Sequence, residues 1–390
     1  MTMDNEEILD DFVKARNLKP ITKKAYRSSI KMYTEFNNMT LEELLDEADQ
    51  EEEQRIRQKK RKIKKRLINF RAFLVENYMK NYVKSTFSRI ISIYKHYEIE
   101  IPNLPALSQK NFNQPTPISF KDLPDNEILA VAYEISQPVM RAVILFMSSS
   151  GCARKETLSL TIQSFIDATS KYHNSNDIYE VLDELKDQED IIPTFKLKRS
   201  KTDKWYYTFC TPEATTEIIK YLLQIDKPLT PDTKLFQIHP STLTTKFINL
   251  NTMMQLGKKG TYNRLRAHML RKFHASSLKN AGMDKYDINS MQGKGLNSTD
   301  EAYFLDDPDI LRDKYIQHMS VLSVNIDINN IDIESPEFKE LKKMYEEKEA
   351  EVDIMKDRMD SFEKRLLEID KIAYSREELL DELPETEKLQ

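Results

Sequence analysis

Apolar residues return every third or fourth position through most of the first hundred residues, with basic residues between them. The stretch from Thr22 to Phe36 has this rhythm and predicts a helix. Thr40-Leu-Glu-Glu43 predicts a helix start, because a threonine followed three residues on by glutamate can satisfy two unpaired amides reciprocally. A long helix is expected from about 52 to 79, and another over Ser85–Lys95. Four prolines, Pro102, Pro105, Pro115 and Pro117, then interrupt the pattern and predict a linker. Beyond it the helical rhythm resumes, broken by two strand-like runs, 191–198 and 205–209, around a turn at Ser200–Lys204. Residues 170–189, acidic and rich in asparagine, read as an insertion. From Phe338 to Ala373 apolar residues step by three and four alternately, interrupted at Lys348, which predicts a coiled coil or an amphipathic helix folded back on the body. The plan is mainly α: a helical unit at 1–104, a linker at 105–118, a second unit at 119–325 with a small antiparallel sheet, and a coiled-coil helix at 336–373.

Charge changes the picture only when it is divided along the chain. The net charge of −5 argues against a polyanionic partner. Residues 1–118 hold 22 Lys/Arg against 17 Asp/Glu, residues 119–325 hold 26 of each, and residues 326–390 hold 11 against 21. The acidity is therefore in the tail, and the rest can present a positive field to DNA. The densest basic run, Arg55 to Arg66, offers Arg55, Lys59, Lys60, Lys62, Lys64 and Arg66 to a phosphate backbone; a solvated helix paired with Glu51–Glu53 is the plainer reading. The longest apolar run, Ala142–Met147, is too short to span a bilayer, so no membrane is expected. Residues from Asp4 on show no basic-then-apolar leader pattern. Two cysteines, Cys152 and Cys210, build no disulfide framework, so a reducing cytoplasm is expected. The six histidines show no zinc spacing with them.

The candidate chemistry lies in the second unit. His268 and Arg271 are three residues apart, on one face of a helix. Arg154 follows Gly151 at the start of a helical pattern, Lys201 sits in the turn between the two strands, and Lys294 precedes Tyr303 by nine residues. Glycine is scarce, and Gly151, Gly293 and Gly295 fall beside these residues. Arginines, lysines, a histidine and a phenol suit attack on a phosphodiester by the phenolic oxygen, with cations holding the phosphate.

In this order and spacing the block resembles the tyrosine recombinase (phage integrase) family. The resemblance covers roughly residues 1–320. Ser148-Ser-Ser-Gly151 before Arg154 and Leu158-Ser-Leu-Thr161 after it look like the family's first box, and Thr208–Ala214 after the lysine turn looks like archaeal members. The family implies a helical, SAM-like clamp lobe and a catalytic lobe around double-stranded DNA. It implies Arg154 and Arg271 as a phosphate clamp and Lys201 as general acid for the departing 5′ oxygen. His268 would handle protons or bind the scissile phosphate, and Tyr303 would be the nucleophile. Lys294 stands where His or Trp is usual. Glu156, two residues after Arg154 rather than the usual three, would support the clamp from behind or serve as a helix-start acid. No cofactor or metal is implied. The expected function is site-specific integration or excision by a homotetramer on DNA, in the cytoplasm with the nucleoid, with the tail steering self-association. The same chemistry would serve a type IB topoisomerase. A catalytically inactive DNA-binding relative and a coiled-coil scaffold fit the pattern as well.

Overall fold

A computed structural model describes residues 4–108, 117–201, 203–294 and 307–324, with Arg358 and Ser361. It divides the chain into two compact units, 1–116 and 117–390, and the described residues are mainly helical with small antiparallel sheets. The linker residues 109–116, Thr202, Tyr303 and, apart from Arg358 and Ser361, the heptads of 336–373 lie outside the described residues. Among the described residues no helix is long and apolar enough to cross a membrane.

The first unit is built from α1 (Asn5–Ala15), α2 (Pro20–Asn37), α3 (Leu41–Glu53), α4 (Lys62–Asn77) and α5 (Lys80–His96). Its core gathers the apolar stripes of all five, including Phe12, Leu67, Phe70 and Ile90. Tyr33 and Tyr94 share a buried hydroxyl contact of 3.0 Å. The start of α3 is the expected reciprocal cap: the Glu43 amide donates to Thr40 Oγ1 at 3.2 Å, and the Thr40 amide to the Glu43 carboxylate at 2.7 Å.

The single helix expected over 52–79 is corrected. The chain ends α3 at Glu53, turns left-handed at Arg55 with φ 53°, and restarts as α4 at Lys62. A left-handed residue cannot continue a right-handed helix. The break lets acids fold onto the basic run instead of stacking its cations along one helix. Arg61 Nη1 donates to Glu52 at 2.7 Å, and the Lys62 amide donates to Glu51 at 2.8 Å.

The second unit surrounds α7 (Pro138–Ser150), from which Met140 and every residue from Ala142 to Ser150 are buried. The apolar run Ala142–Met147 is thus the centre of a packed core, as expected of a helix apolar on all sides. Around it lie α6 (Asn126–Glu134), the single-turn α8 (Arg154–Thr157), α9 (Ile162–Thr169), α10 (Ile178–Leu185), α11 (Pro212–Leu223), α12 (Pro240–Met253), α13 (Ala267–Asn280), α14 (Lys285–Met291) and α15 (Pro308–His318). Strands β1 (Thr194–Arg199) and β2 (Lys204–Phe209) pair antiparallel with Lys196 opposite Tyr207 and Arg199 opposite Lys204. A second, two-residue pair, β3 (Lys258–Lys259) and β4 (Tyr262–Asn263), was not foreseen. The segment read as an insertion contains α10, whose Ile178, Val181, Leu182 and Leu185 join the core, so it is an integral part of this unit.

Candidate active site

The site begins where α7 stops. Gly151 takes φ 65°, and a Cβ there would stand 2.5 Å from His274 Nδ1 and 2.9 Å from Gln292 Nε2. Only glycine tolerates both demands. The last carbonyls of α7, which have no partner within the helix, are met from outside: Thr208 Oγ1 on β2 donates to Ser150 O at 2.7 Å, and the Tyr315 hydroxyl on α15 donates to Ser149 O at 3.0 Å. The hairpin and α15 are thereby tied to the turn that leads into Arg154.

From the opposite side, α13 brings in His268 and Arg271, one turn apart. Arg271 is only 7% exposed. Its Nη1 donates to Gly151 O at 2.6 Å and its Nη2 to Gln292 O at 2.5 Å. Burial lowers its pKa, yet a guanidinium stays charged at any ordinary pH. Arg199, at the end of β1, acts in parallel: its Nη1 donates to Gly293 O at 2.7 Å. Gly293 has φ 58°, and a Cβ there would stand 2.5 Å from the Tyr206 ring. Two arginines thus pin the Gln292–Gly293 turn, and Lys294 follows directly. Burial, and after it the charges of Arg271, Arg199 and Lys285, lower the Lys294 pKa. His268 is lowered by burial first, then by Arg266, Lys272, Arg271 and Lys294, so its imidazole is held neutral near pH 7.

These elements border a cleft of about 1160 Å³. Arg154, Lys155, Lys258, Arg266, Arg271 and Lys272 line it together with His268, and among the described residues no carboxylate does. Arg154 on α8 is steadied by Thr244 of α12, to whose Oγ1 it donates at 2.5 Å. The N-terminus of α13 opens into the cleft without a side-chain cap. Guanidinium forks, a helix N-terminus and, among the described lining residues, no counter-charge can together receive a phosphate-like anion.

The structure gathers Arg154, His268 and Arg271 around one cleft, with Lys294 electrostatically coupled to His268 and Arg271. Lys201 stands exposed at the hairpin turn, beside an ion pair of Lys198 with Asp203 at 3.0 Å. Glu156 is 5% exposed, and its Oε2 has no hydrogen-bond partner among the described residues; its charge favours the charged form of Arg271. Among the other tyrosines near Tyr303 in sequence, Tyr315 is fully buried, and Tyr286 is half-buried. In the first unit, Lys62 and Arg66 both pair with Glu47, at 2.9 and 2.5 Å, and so serve the unit's own cohesion. Arg55, Lys59 and Lys60 are exposed and Lys64 half-buried.

Sequence reading missed Arg199, Lys258, Tyr262 and Arg266. A signal for Arg199 was present: Phe195, Leu197 and Arg199 alternate onto the inner face of β1, away from the exposed Lys196 and Lys198. For 258–263, the pair Gly257 and Gly260 around two lysines marks a tight turn.

No family model matches the chain, and no curated protein does. Its structural neighbours are tyrosine recombinases and integrases. XerA recombinase is 18% identical, with 80% of this chain and 97% of that one covered and a TM-score of 0.32. XerH recombinase, bound to a palindromic difH substrate after cleavage, is 14% identical, with coverages of 80% and 84% and a TM-score of 0.49. A lambda integrase tetramer bound to a Holliday junction is 12% identical, with coverages of 76% and 79% and a TM-score of 0.49.

Proposed function

We propose that this protein cuts and rejoins double-stranded DNA through a 3′-phosphotyrosine on Tyr303, as a site-specific recombinase. The observation that carries this reading is the cleft beside His268, lined among the described residues by six cationic side chains and no carboxylate.

Arg154 and Arg271 hold the two non-bridging oxygens of the scissile phosphate. Arg271 uses only part of its five-donor fork on Gly151 and Gln292, so donors remain for a ligand while the carbonyls fix its plane. As the Tyr303 oxygen adds to phosphorus, charge grows on those oxygens, and cations already in place stabilise it without rearranging. His268, held neutral, can take up or relay the phenolic proton. Lys294 donates to a phosphate oxygen. The 5′ oxygen leaves with a proton from Lys201, and the phosphotyrosine ester conserves the bond energy for rejoining. The chain is anchored to this unit on both sides of Tyr303. Before it, the Lys294 amide donates to Asn289 O at 2.9 Å; after it, Arg312 donates to the Tyr172 hydroxyl at 2.6 Å. Exposed cations of the first unit add contacts to the backbone, and the heptads of 336–373 promote self-association on two DNA sites.

The test is covalent capture. The protein is mixed with fragments of its own genome in EDTA, trapped with SDS, and the adducts are sequenced and peptide-mapped, with nicked duplexes as a parallel substrate. A 3′ adduct on Tyr303, lost in Tyr303→Phe with DNA binding retained, is the expected result. Binding without any adduct, on intact and nicked DNA alike, would leave a DNA-binding protein without strand chemistry.

A further inference from the structure

Arg266 lies two residues before His268, at the N-cap of α13, and lines the cleft. Its guanidinium carbon sits 4.3 Å from the centroid of the Tyr262 ring. Tyr262, on β4, also lines the cleft and is 47% exposed. Each of the other arginines of this region spends at least one donor on the protein itself. Arg264 donates to Leu123 O and Lys121 O, Arg271 to Gly151 O and Gln292 O, Arg199 to Gly293 O, and Arg154 to Thr244. Arg266 has no hydrogen bond or ion pair to any described residue; its partner is the aromatic face alone.

A guanidinium seated over a ring is attracted by the ring's π face and spends none of its five N–H donors on it. A half-buried cation whose donors are unmet by any described residue is a binding group open to an anion. Lys258 from β3 lines the same cleft, and among the described lining residues no carboxylate competes for the fork.

We propose that Arg266, seated over the Tyr262 ring, is a further DNA-backbone contact of the cleft, gripping a phosphodiester beside the one that reacts. This rests on the strand-cleavage reading above and adds a residue and a subsite to it. The β3–β4 hairpin is then a device for presenting an aromatic shelf, which explains why a two-residue strand pair is kept at this edge. Arg266 also acts on His268. Among the charges that face the imidazole (Arg266, Lys272, Arg271 and Lys294), Arg266 opposes protonation most strongly. It therefore has a positioning role, through charge, in addition to its own contact.

The experiment uses full-length protein carrying Tyr303→Phe, so that binding is read without chemistry. Duplex affinity is measured against salt concentration for that protein and for the same protein with Arg266→Gln, Arg266→Lys or Tyr262→Leu. Removing one cation that neutralises a phosphate makes the slope of log K against log salt shallower by about 0.9. Arg266→Gln should show that change and Arg266→Lys should not. Tyr262→Leu should weaken binding several-fold while keeping the slope, since the charge remains but the fork is no longer held. With Tyr303 restored, Arg266→Gln should move the acid limb of adduct formation to higher pH, because His268 then protonates more readily. An unchanged salt slope in Arg266→Gln overturns the subsite. A parent protein that binds no DNA at all overturns the strand-cleavage reading instead, so the two failures are distinct. Circular dichroism melts of each variant separate a folding defect from a missing phosphate grip; a slope change confined to a misfolded variant counts against the proposal.

Discussion

Single residues carry opposite loads around the cleft, and His274 shows how closely they are balanced. It lies one turn beyond Arg271 on α13, is fully buried, and its Nδ1 is 3.0 Å from Gln292 Nε2. Burial, and then the charges of Arg271 and Lys294, push its pKa down to about 3. The folded protein thus binds this proton far more weakly than the unfolded chain, whose imidazole titrates near 6.5. The sign follows: the stability contributed by neutral His274 is complete above pH 6.5 and is lost as pH falls toward 3, at about 1.4 kcal/mol per pH unit between the two values. Urea midpoints of the wild type and His274→Gln between pH 7 and 4.5 should diverge at the top and converge at the bottom, with the variant the less pH-dependent. Equal slopes would mean that the buried imidazole is not what acid attacks. The same histidine fills the space that a side chain at Gly151 would need, so the turn into Arg154 and the acid sensitivity of this unit share one cause.

At the scale of elements, the break between α3 and α4 decides which cations are available. A continuous helix would have spread the basic run along one face. The turn at Arg55 instead gives Arg61 to Glu52 and Glu100, and Lys62 and Arg66 to Glu47, while Lys59 and Lys60 remain exposed in the loop and Lys64 half-buried in the first turn of α4. Replacing Lys59, Lys60 and Lys64 together with Ala should make the salt dependence of DNA binding shallower by up to about 2.7, roughly 0.9 for each phosphate no longer neutralised, with little change in melting temperature. Arg66→Ala should do the reverse, lowering the melting temperature because it leaves Glu47 with a single partner, Lys62, and moving the slope little. If the triple variant keeps the wild-type slope, the loop does not meet phosphate. The β1–β2 hairpin follows the same logic of faces: its inner side delivers Arg199 to Gly293, and its outer side shows Lys196 to Trp205 and Tyr207 at 5.7 and 5.9 Å from the ring centroids.

For the molecule as a whole, the distribution of charge matters more than its sum. The net −5 contains a contribution of −10 from residues 326–390, so removing them leaves +5. A polyanionic tail competes with DNA for the same cations by screened Coulomb attraction, over about 10 Å at 0.1 M salt. A chain ending after residue 325 should therefore bind random duplex more tightly at 50 mM salt, with the gain fading by 0.5 M. Val324, whose amide donates to Glu213 at 2.9 Å, stays in that chain, so the described body keeps its last anchor. Unchanged low-salt affinity would rule out such competition.

Local chemistry was legible in the sequence. Thr40 and Glu43 announced their cap, two strand-like runs around a turn marked the β1–β2 hairpin, and the spacing of His268 and Arg271 placed both on one helical face. These properties depend on neighbours within a few residues, and the sequence prints those neighbours side by side. Tertiary structure alone decided what depends on distant residues. The reach of Glu47 to Arg66 and of Glu52 to Arg61 withdrew cations that the sequence offered to DNA, and it split a helix whose periodicity looked continuous. Arg199, 72 residues before Arg271, joined it on the Gln292–Gly293 turn, because two buried carbonyls needed donors and the inner face of β1 supplied one. Which arginine would be spent on the protein's own carbonyls, and which would be left stacked on a ring with its donors free, is a question of burial and packing. Periodicity does not record it, and so Arg266 read as ordinary in the sequence and stands apart only in the fold.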